Sequence, residues 1–223
     1  MFDFVKVVCC AAWAVFPTPL AACDLALVLA VDVSGSVDKS EYRTQMDGLA
    51  AALRDSVVSE ALVLANAELT LIQWTGSTRQ KVTIPWTTID SFTASDNFAN
   101  LVANDPRVWR NYSTAIGEAL GFSMATFKQV PHCTRHLIDL SGDGLSNEGA
   151  EPNTVHQALK DAGIIVNAIA IEASEPELTA YFYEHVIIGE GAFVVSAASF
   201  EQYPSRIRKK LLREVTHQTA ANQ

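Results

Sequence analysis

The chain has 223 residues, a formal net charge of −9 and a pI near 5.0. Hydrophobic residues make up 49% and charged residues 18%, a composition typical of globular proteins and not of disordered ones. The acidic balance argues against a general nucleic-acid-binding protein, because neutralising phosphate groups requires a basic surface. The length fits one domain with a substantial buried core once a leader has been removed.

The N-terminus has the pattern of an export signal. Lys6 precedes the apolar run 7–16, which is too short to cross a bilayer, and the small residues Ala21 and Ala22 offer a cleavage point. We therefore expect residues 1–22 to be a signal peptide and residues 23–223 to form one exported domain, periplasmic or extracellular. The rest of the sequence has no segment with the pattern of a transmembrane span.

Apolar runs that predict buried strands alternate along the chain with amphipathic segments that predict helices. Strands are predicted at 25–31, 67–74, 81–86, 135–141, 164–171 and 192–196. Helices are predicted at 38–58, 92–102, 114–127, 153–162, 175–185 and 199–215. Only a short polar turn separates the second strand from the third, which predicts a hairpin at one edge of the sheet. The pattern predicts an α/β fold with a doubly wound, mainly parallel sheet, one antiparallel edge strand and helices on both faces.

Polar residues with hard oxygen atoms stand at three loops of this predicted fold. The first strand ends in a D-x-S-x-S pattern formed by Asp32, Ser34 and Ser36. Asp143 follows the fourth strand, and Thr114 opens a helix. Carboxylate and hydroxyl oxygens suit a small divalent cation such as Mg²⁺, and ligands of open α/β sheets bind at the carboxyl ends of the strands.

The D-x-S-x-S loop also has a purely structural interpretation. One of its polar residues, or Asp38 just after it, could cap the following helix. Asp38 with Glu41 three residues later fits a capping box, in which side chain and backbone satisfy each other reciprocally.

The order and spacing of these polar residues resemble the metal-ion-dependent adhesion site (MIDAS) of von Willebrand factor type A (vWA) domains. The resemblance extends from about residue 24 to residue 212 and implies metal-site roles for Asp32, Ser34, Ser36, Thr114 and Asp143. One departure stands out, because many relatives have Gly-Gly-Thr where this chain has Tyr-Ser-Thr at residues 112–114. Within vWA proteins, the chain looks most like a little-characterised group of bacterial secreted proteins with a single such domain.

The resemblance implies a protein-binding module of the bacterial envelope that uses Mg²⁺ or Mn²⁺, although the sequence does not exclude Ca²⁺. In relatives, an Asp or Glu carboxylate from the partner completes the metal site. The alternative is a metal-dependent hydrolase of phosphate or carboxylic esters, in which the cation polarises the substrate. The sequence has no G-x-S-x-G elbow, no phosphate loop and no histidine in the metal loops to act as a base, so we expect a binding protein and not an enzyme.

Two interpretations are open for Cys23. Cleavage after Ala22 would leave Cys23 and Cys133, which precede predicted neighbouring strands at the same end of the sheet, so a disulfide is geometrically reasonable in an oxidising compartment. Alternatively, Leu-Ala-Ala-Cys at 20–23 looks like a bacterial lipobox, which would give a lipid anchor at Cys23. Lipoproteins usually have a flexible tether after this cysteine, but here a strand follows almost at once, and we favour the disulfide.

Two other groups of residues invite functional interpretations that we consider weaker. The segment 132–136, His-Cys-Thr-Arg-His, could be a metal cluster, but it has no second ligand pair and lies at the strand end opposite the acidic site. The last helix is basic, which suits an anionic lipid, an acidic partner or, as we favour, a solvated helix face. Its basic residues are Arg206, Arg208, Lys209, Lys210 and Arg213.

Overall fold

The computed structural model describes residues 22–216, which contain six strands, seven α-helices and three short 3₁₀ helices. The strands are β1 (Leu25–Asp32), β2 (Ala67–Trp74), β3 (Gln80–Ile89), β4 (Arg135–Gly142), β5 (Ile164–Ile171) and β6 (Val194–Ala197). The helices are α1 (Lys39–Leu53), α2 (Ser56–Leu64), α3 (Phe92–Asn104), α4 (Ile116–Thr126), α5 (His156–Asp161), α6 (Leu178–His185) and α7 (Tyr203–Thr216). The predicted signal peptide, apart from Ala22, lies outside the described residues.

The strands form one sheet in the order β3-β2-β1-β4-β5-β6. Every neighbouring pair is parallel except the β2–β3 hairpin, so the predicted sheet with one antiparallel edge strand is confirmed. Along β1, Leu25 and Leu27 face one core, whereas Ala26 and Val28 face the other, as the period of a strand requires. Helices α1, α2, α3 and α7 cover the first core, and α4, α5 and α6 cover the second.

The predicted helix 38–58 is two helices in the structure. α1 begins with the expected capping box, in which the Asp38 carboxylate accepts from the Glu41 N–H and the Glu41 carboxylate accepts from the Asp38 N–H. The helix is interrupted at Asp55, whose carboxylate accepts from the backbone N–H groups of Val57 and Val58 and so caps α2. An aspartate favours an N-cap over a helix interior, which is the physical reason for the break.

The disulfide favoured from the sequence is present. Cys23 and Cys133 are bonded to each other, with their Cα atoms 4.5 Å apart. Cys23 lies two residues before Leu25, and Cys133 lies two residues before Arg135. Leu25 and Arg135 are the first residues paired between β1 and β4. His132 lies close to both sulfur atoms, but the disulfide occupies them, so this group is not a zinc site. The lipid-anchor alternative requires the same Cys23 sulfur.

Lys210 corrects the expectation of a wholly solvated basic face on the last helix. Its side chain is fully buried, with Nζ 2.6 Å from Asp139 of β4 and 2.5 Å from Glu214 on the next turn of α7. Asn167 of β5 donates a further hydrogen bond to Glu214 at 2.9 Å. Burial raises the pKa of Glu214 to about 8, and the charge of Asp139 adds to the shift. Although its neighbour Lys209 is exposed, the side chain of Lys210 thus lies inside the fold and contacts two carboxylates.

None of the helices within residues 22–216 is long and apolar enough to cross a membrane.

We expect the disulfide to contribute strongly to stability. Replacing Cys23 and Cys133 together by Ala should lower the free energy of unfolding by about 2–5 kcal/mol, because the bridge joins residues 110 positions apart and restricts the unfolded chain. Urea unfolding followed by circular dichroism measures the change. Wild-type protein under reducing conditions should unfold at the same urea concentration as the double variant, and unchanged stability in both would contradict the bridge.

The buried lysine gives a second prediction. Lys210→Met should lower the free energy of unfolding by about 3–5 kcal/mol, because Asp139 and Glu214 would then lie together in the core without a cation. Lys209→Met is the matched control, since the neighbouring side chain is exposed, and it should unfold at the wild-type urea concentration. Equal midpoints for the two variants would show that the charge of Lys210 is not needed.

Candidate metal centre

Three loops meet at the carboxyl ends of the two central strands. The loop after β1 carries Asp32, Ser34 and Ser36, and the loop after β4 carries Asp143. Because β1 and β4 are paired in parallel, these two loops leave the sheet side by side. Thr114 stands just before α4 and completes the group. The structure therefore brings together all five residues that the sequence singled out.

A chain of hydrogen bonds links the first loop to the loop after β4. Asp32 Oδ1 accepts from the Ser34 N–H at 2.7 Å. The hydroxyl oxygens of Ser34 and Ser36 lie 3.2 Å apart, and Ser36 donates to Asp143 Oδ1 at 2.6 Å. Asp32, Ser34 and Asp143 are buried, whereas Ser36 is exposed, so the group opens to solvent at Ser36.

Thr114 is buried against the loop that carries Asp143. Its N–H donates to Asn147 Oδ1 at 2.9 Å, and its carbonyl accepts from the Asn147 N–H at 2.9 Å. A Cβ placed on Gly144 would lie 3.8 Å from Thr114 Oγ1, which locates the threonine hydroxyl beside the residue that follows Asp143. Asn147 thus holds the loop that carries Thr114 in place, a role that the sequence did not reveal.

The departure from Gly-Gly-Thr is accommodated by backbone contacts. The carbonyl of Tyr112 accepts from the Gly35 N–H at 2.8 Å, and the carbonyl of Ser113 accepts from Thr75 Oγ1 at 2.8 Å. The left-handed conformation in this segment falls on Asn111, with φ 61°, a residue that tolerates it. Neither Tyr112 nor Ser113 therefore needs the conformational freedom of glycine, and their side chains can vary.

Both carboxyl groups of the site are held in an unfavourable environment for an isolated charge. Burial, followed by the charge of Asp143, raises the pKa of Asp32 to about 7. Burial likewise raises the pKa of Asp143. Asp32 Oδ2 is buried and has no hydrogen-bond partner within the described chain, and a side chain on Gly142 would approach it to 3.3 Å. Two desolvated carboxyl groups with three hydroxyls beside them fit a divalent cation, which would supply the missing charge.

Arg107 is a residue of this region that sequence reasoning missed. Its Nη2 donates to the carbonyls of Val33 at 2.9 Å and Ser34 at 2.8 Å, and so fixes the turn that presents the first serine. Gln73 of β2 fixes the segment around Arg107, because its amide nitrogen donates to Asp105 at 2.7 Å and its amide oxygen accepts from the Val108 N–H at 2.8 Å. No periodicity or motif marks a contact across 73 residues.

Two glutamates tie the loop after β4 to its surroundings. Glu118, in the first turn of α4, accepts from the Ala150 N–H at 2.8 Å. Glu148 accepts from both the hydroxyl and the N–H of Ser77 in the β2–β3 turn. The loop that carries Asp143 is therefore anchored at both α4 and the hairpin.

A family model described as "Protein of unknown function (DUF1194)" matches residues 22–219. No curated protein sequence matches the chain.

Solved structures share the fold. The chain resembles proximal thread matrix protein 1 (PTMP1) from the mussel byssus, in a structure described as having a zinc-occupied MIDAS motif, at 20% identity and a TM-score of 0.64. That match covers 86% of this chain and 48% of PTMP1. A von Willebrand factor type A protein from Catenulispora acidiphila is 18% identical with a TM-score of 0.57, covering 86% of this chain and 43% of that one.

A third likeness is to the pilus adhesin SpaC from Lactobacillus rhamnosus GG, at 12% identity and a TM-score of 0.61. It covers 88% of this chain and 31% of SpaC. The chain spans less than half the length of each of these three proteins. At these identities the comparisons establish the fold, which is that of vWA domains.

Proposed function

Because the match over residues 22–219 shows that the chain belongs to the DUF1194 family, and its fold is that of vWA domains, we propose that the protein is a metal-dependent module that binds another protein in the bacterial envelope. Mg²⁺ or Mn²⁺ would be held by Asp32, Ser34, Ser36, Thr114 and Asp143. The observation that carries the proposal is the buried Oδ2 of Asp32, which has no hydrogen-bond partner among residues 22–216 and stands in a group with a second buried carboxyl group and three hydroxyls.

The chemistry of the donor set favours binding to a carboxylate. All five side chains offer oxygen, which suits Mg²⁺ or Mn²⁺ better than the nitrogen- and sulfur-preferring transition metals. Three of the five are neutral hydroxyls, and with one of the two carboxylates bound through ordered water the cation would keep part of its charge and an open coordination position. The remaining charge would attract an Asp or Glu carboxylate of the partner at the exposed side of the site, near Ser36.

The comparisons support the same reading. The PTMP1 structure is described as having metal in its MIDAS motif, and SpaC is described as an adhesin. The disulfide and the export pattern of residues 1–22 support a location outside the cytoplasm, periplasmic or extracellular. The candidate site itself contains no histidine that could act as a base, which favours recognition over hydrolysis.

The metal assignment is tested by calorimetry. Asp32→Ala should abolish Mg²⁺ and Mn²⁺ binding while the circular dichroism spectrum stays that of the folded protein, because a charged ligand is lost. Thr114→Ala should weaken binding by only about tenfold, since water can replace one neutral ligand. Asp161→Ala and Thr44→Ala are matched controls outside the site and should bind as the wild type does. Unchanged affinity in Asp32→Ala would refute the assignment.

The partner is tested with the immobilised protein and the envelope fraction of its own host. A protein should be retained in Mg²⁺ or Mn²⁺ and released by EDTA, and Asp143→Ala should lose it whereas Lys209→Gln keeps it. Neutralising the key Asp or Glu of the partner should weaken the complex, because that carboxylate would complete the metal site. Metal-dependent hydrolysis of phosphate or carboxylic esters that disappears in Asp32→Ala would instead establish the hydrolase alternative.

A further inference from the structure

The segment 105–115, which joins α3 to α4, lies along the edge of the candidate metal centre. Arg107 contacts the carbonyls of Val33 and Ser34, and the carbonyl of Tyr112 accepts from the Gly35 N–H. Both contacts are made to the D-x-S-x-S loop itself. The four residues between Arg107 and Tyr112, 108–111, are therefore confined beside the site although they belong to no helix or strand.

The side chains that this segment presents are those that dominate protein interfaces. Trp109 is half-buried and packs against the hydrophobic core, Arg110 is exposed, and Tyr112 is 41% exposed. Tryptophan, tyrosine and arginine are the residue types most enriched among interface residues that carry binding energy. The guanidinium of Arg79 lies 3.7 Å from the centre of the Tyr112 ring, which fixes the ring at the rim.

Arg110 carries a charge that the described part of the chain does not pair. Arg43, Arg54 and Arg208 each form a salt bridge with an aspartate, whereas Arg110 forms none with any acid in residues 22–216. Its neighbour is another cation, since the charge of Arg110, after burial, lowers the pKa of Arg107. Arg79, unlike Arg110, has an acid near it, which is Glu148. The pKa of Glu148 is lowered, first by hydrogen bonds from Ser77 and Ser113 and then by the charge of Arg79. An unpaired positive charge thus stands at the rim of an otherwise acidic protein.

We propose that Arg110 binds a second carboxylate of the partner protein, so that the recognised feature is a pair of acidic residues and not a single Asp or Glu. This inference rests on the proposed function, in which the metal takes the first carboxylate. A guanidinium binds a carboxylate through two parallel hydrogen bonds, and Trp109 and Tyr112 supply apolar contact around it. Arg110 is two residues from the anchor at Tyr112, so the second acid would lie within about four residues of the first in an extended segment.

A peptide library tests the inference directly. Random peptides with a fixed central Asp and about five variable positions on each side, enough to cover the reach of Arg110, are bound to the immobilised protein in Mg²⁺ and released with EDTA. Peptides enriched by the wild type should carry Asp or Glu at a fixed offset from the central Asp. Arg110→Gln should still yield peptides released by EDTA but without that second acid. Lys128→Gln, an exposed lysine beyond the far end of α4, is the control and should select as the wild type does.

Affinities of one selected peptide and its single-acid version give the quantitative result. In the wild type the second acid should strengthen binding by about tenfold, as expected for a hydrogen bond to a charged group, and in Arg110→Gln by less than about twofold. An equal benefit in both proteins, or selection without a second acid, would overturn the role of Arg110 and leave the metal-dependent function standing. Peptides that bind the wild type equally well in EDTA, and lose affinity in Arg110→Gln, would support Arg110 and refute the metal-dependent function.

Discussion

β1 and β4 lie side by side at the centre of the sheet, in a parallel register that places Leu25 opposite Arg135 and Val31 opposite Ser141. At one end of this pair the chain continues into the loops of Asp32 and Asp143. At the other end it begins just after Cys23 and Cys133, which are joined. One pairing therefore sets the geometry of both the candidate metal centre and the covalent link, and the disulfide resists separation of the two strands that hold the carboxyl groups together.

The fold contains two clusters of buried carboxyl groups, and they are compensated differently. In the interior, Asp139 and Glu214 share the fully buried Lys210, so the chain supplies its own cation. At the strand ends, neither Asp32 nor Asp143 forms a salt bridge with any basic residue in the described range 22–216. Arg107 lies near both carboxyl groups, but it donates its hydrogen bonds to the carbonyls of Val33 and Ser34. Buried charge of one sign is costly without a counter-charge, and this contrast is the strongest physical reason to expect a cation from outside at Asp32 and Asp143.

The sequence predicted the sheet because apolar runs are local patterns, and the resemblance to vWA domains singled out five residues that the structure brings together. Apolar runs mark buried strands, and the D-x-S-x-S loop follows directly from one of them. The features that were missed depend on contacts between distant parts of the chain. Lys210 is buried because α7 turns that face toward Asp139, and Arg107 reaches Val33 across 74 residues. The break at Asp55 was a local signal, but the continuous amphipathic pattern across it concealed the cap.

In the segment between α3 and α4, the groups that hold the segment against the D-x-S-x-S loop differ from the groups that form its exposed surface. The contacts that hold it use the backbone carbonyls of Tyr112 and Ser113, together with the buried amide of Gln73. The Arg107 side chain adds two hydrogen bonds and Trp109 packs against the core, whereas the exposed Arg110 forms no salt bridge within residues 22–216. Under the proposed function, a substitution at Arg110 would therefore change which partner is recognised without moving the D-x-S-x-S loop. A cation framed by oxygen ligands offers little discrimination between one carboxylate and another, because every Asp or Glu presents the same group. In the proposed function, selectivity would then come from neighbouring side chains, and the segment 105–115 is the part of the described structure that places a tryptophan, a tyrosine and an arginine without a salt bridge there.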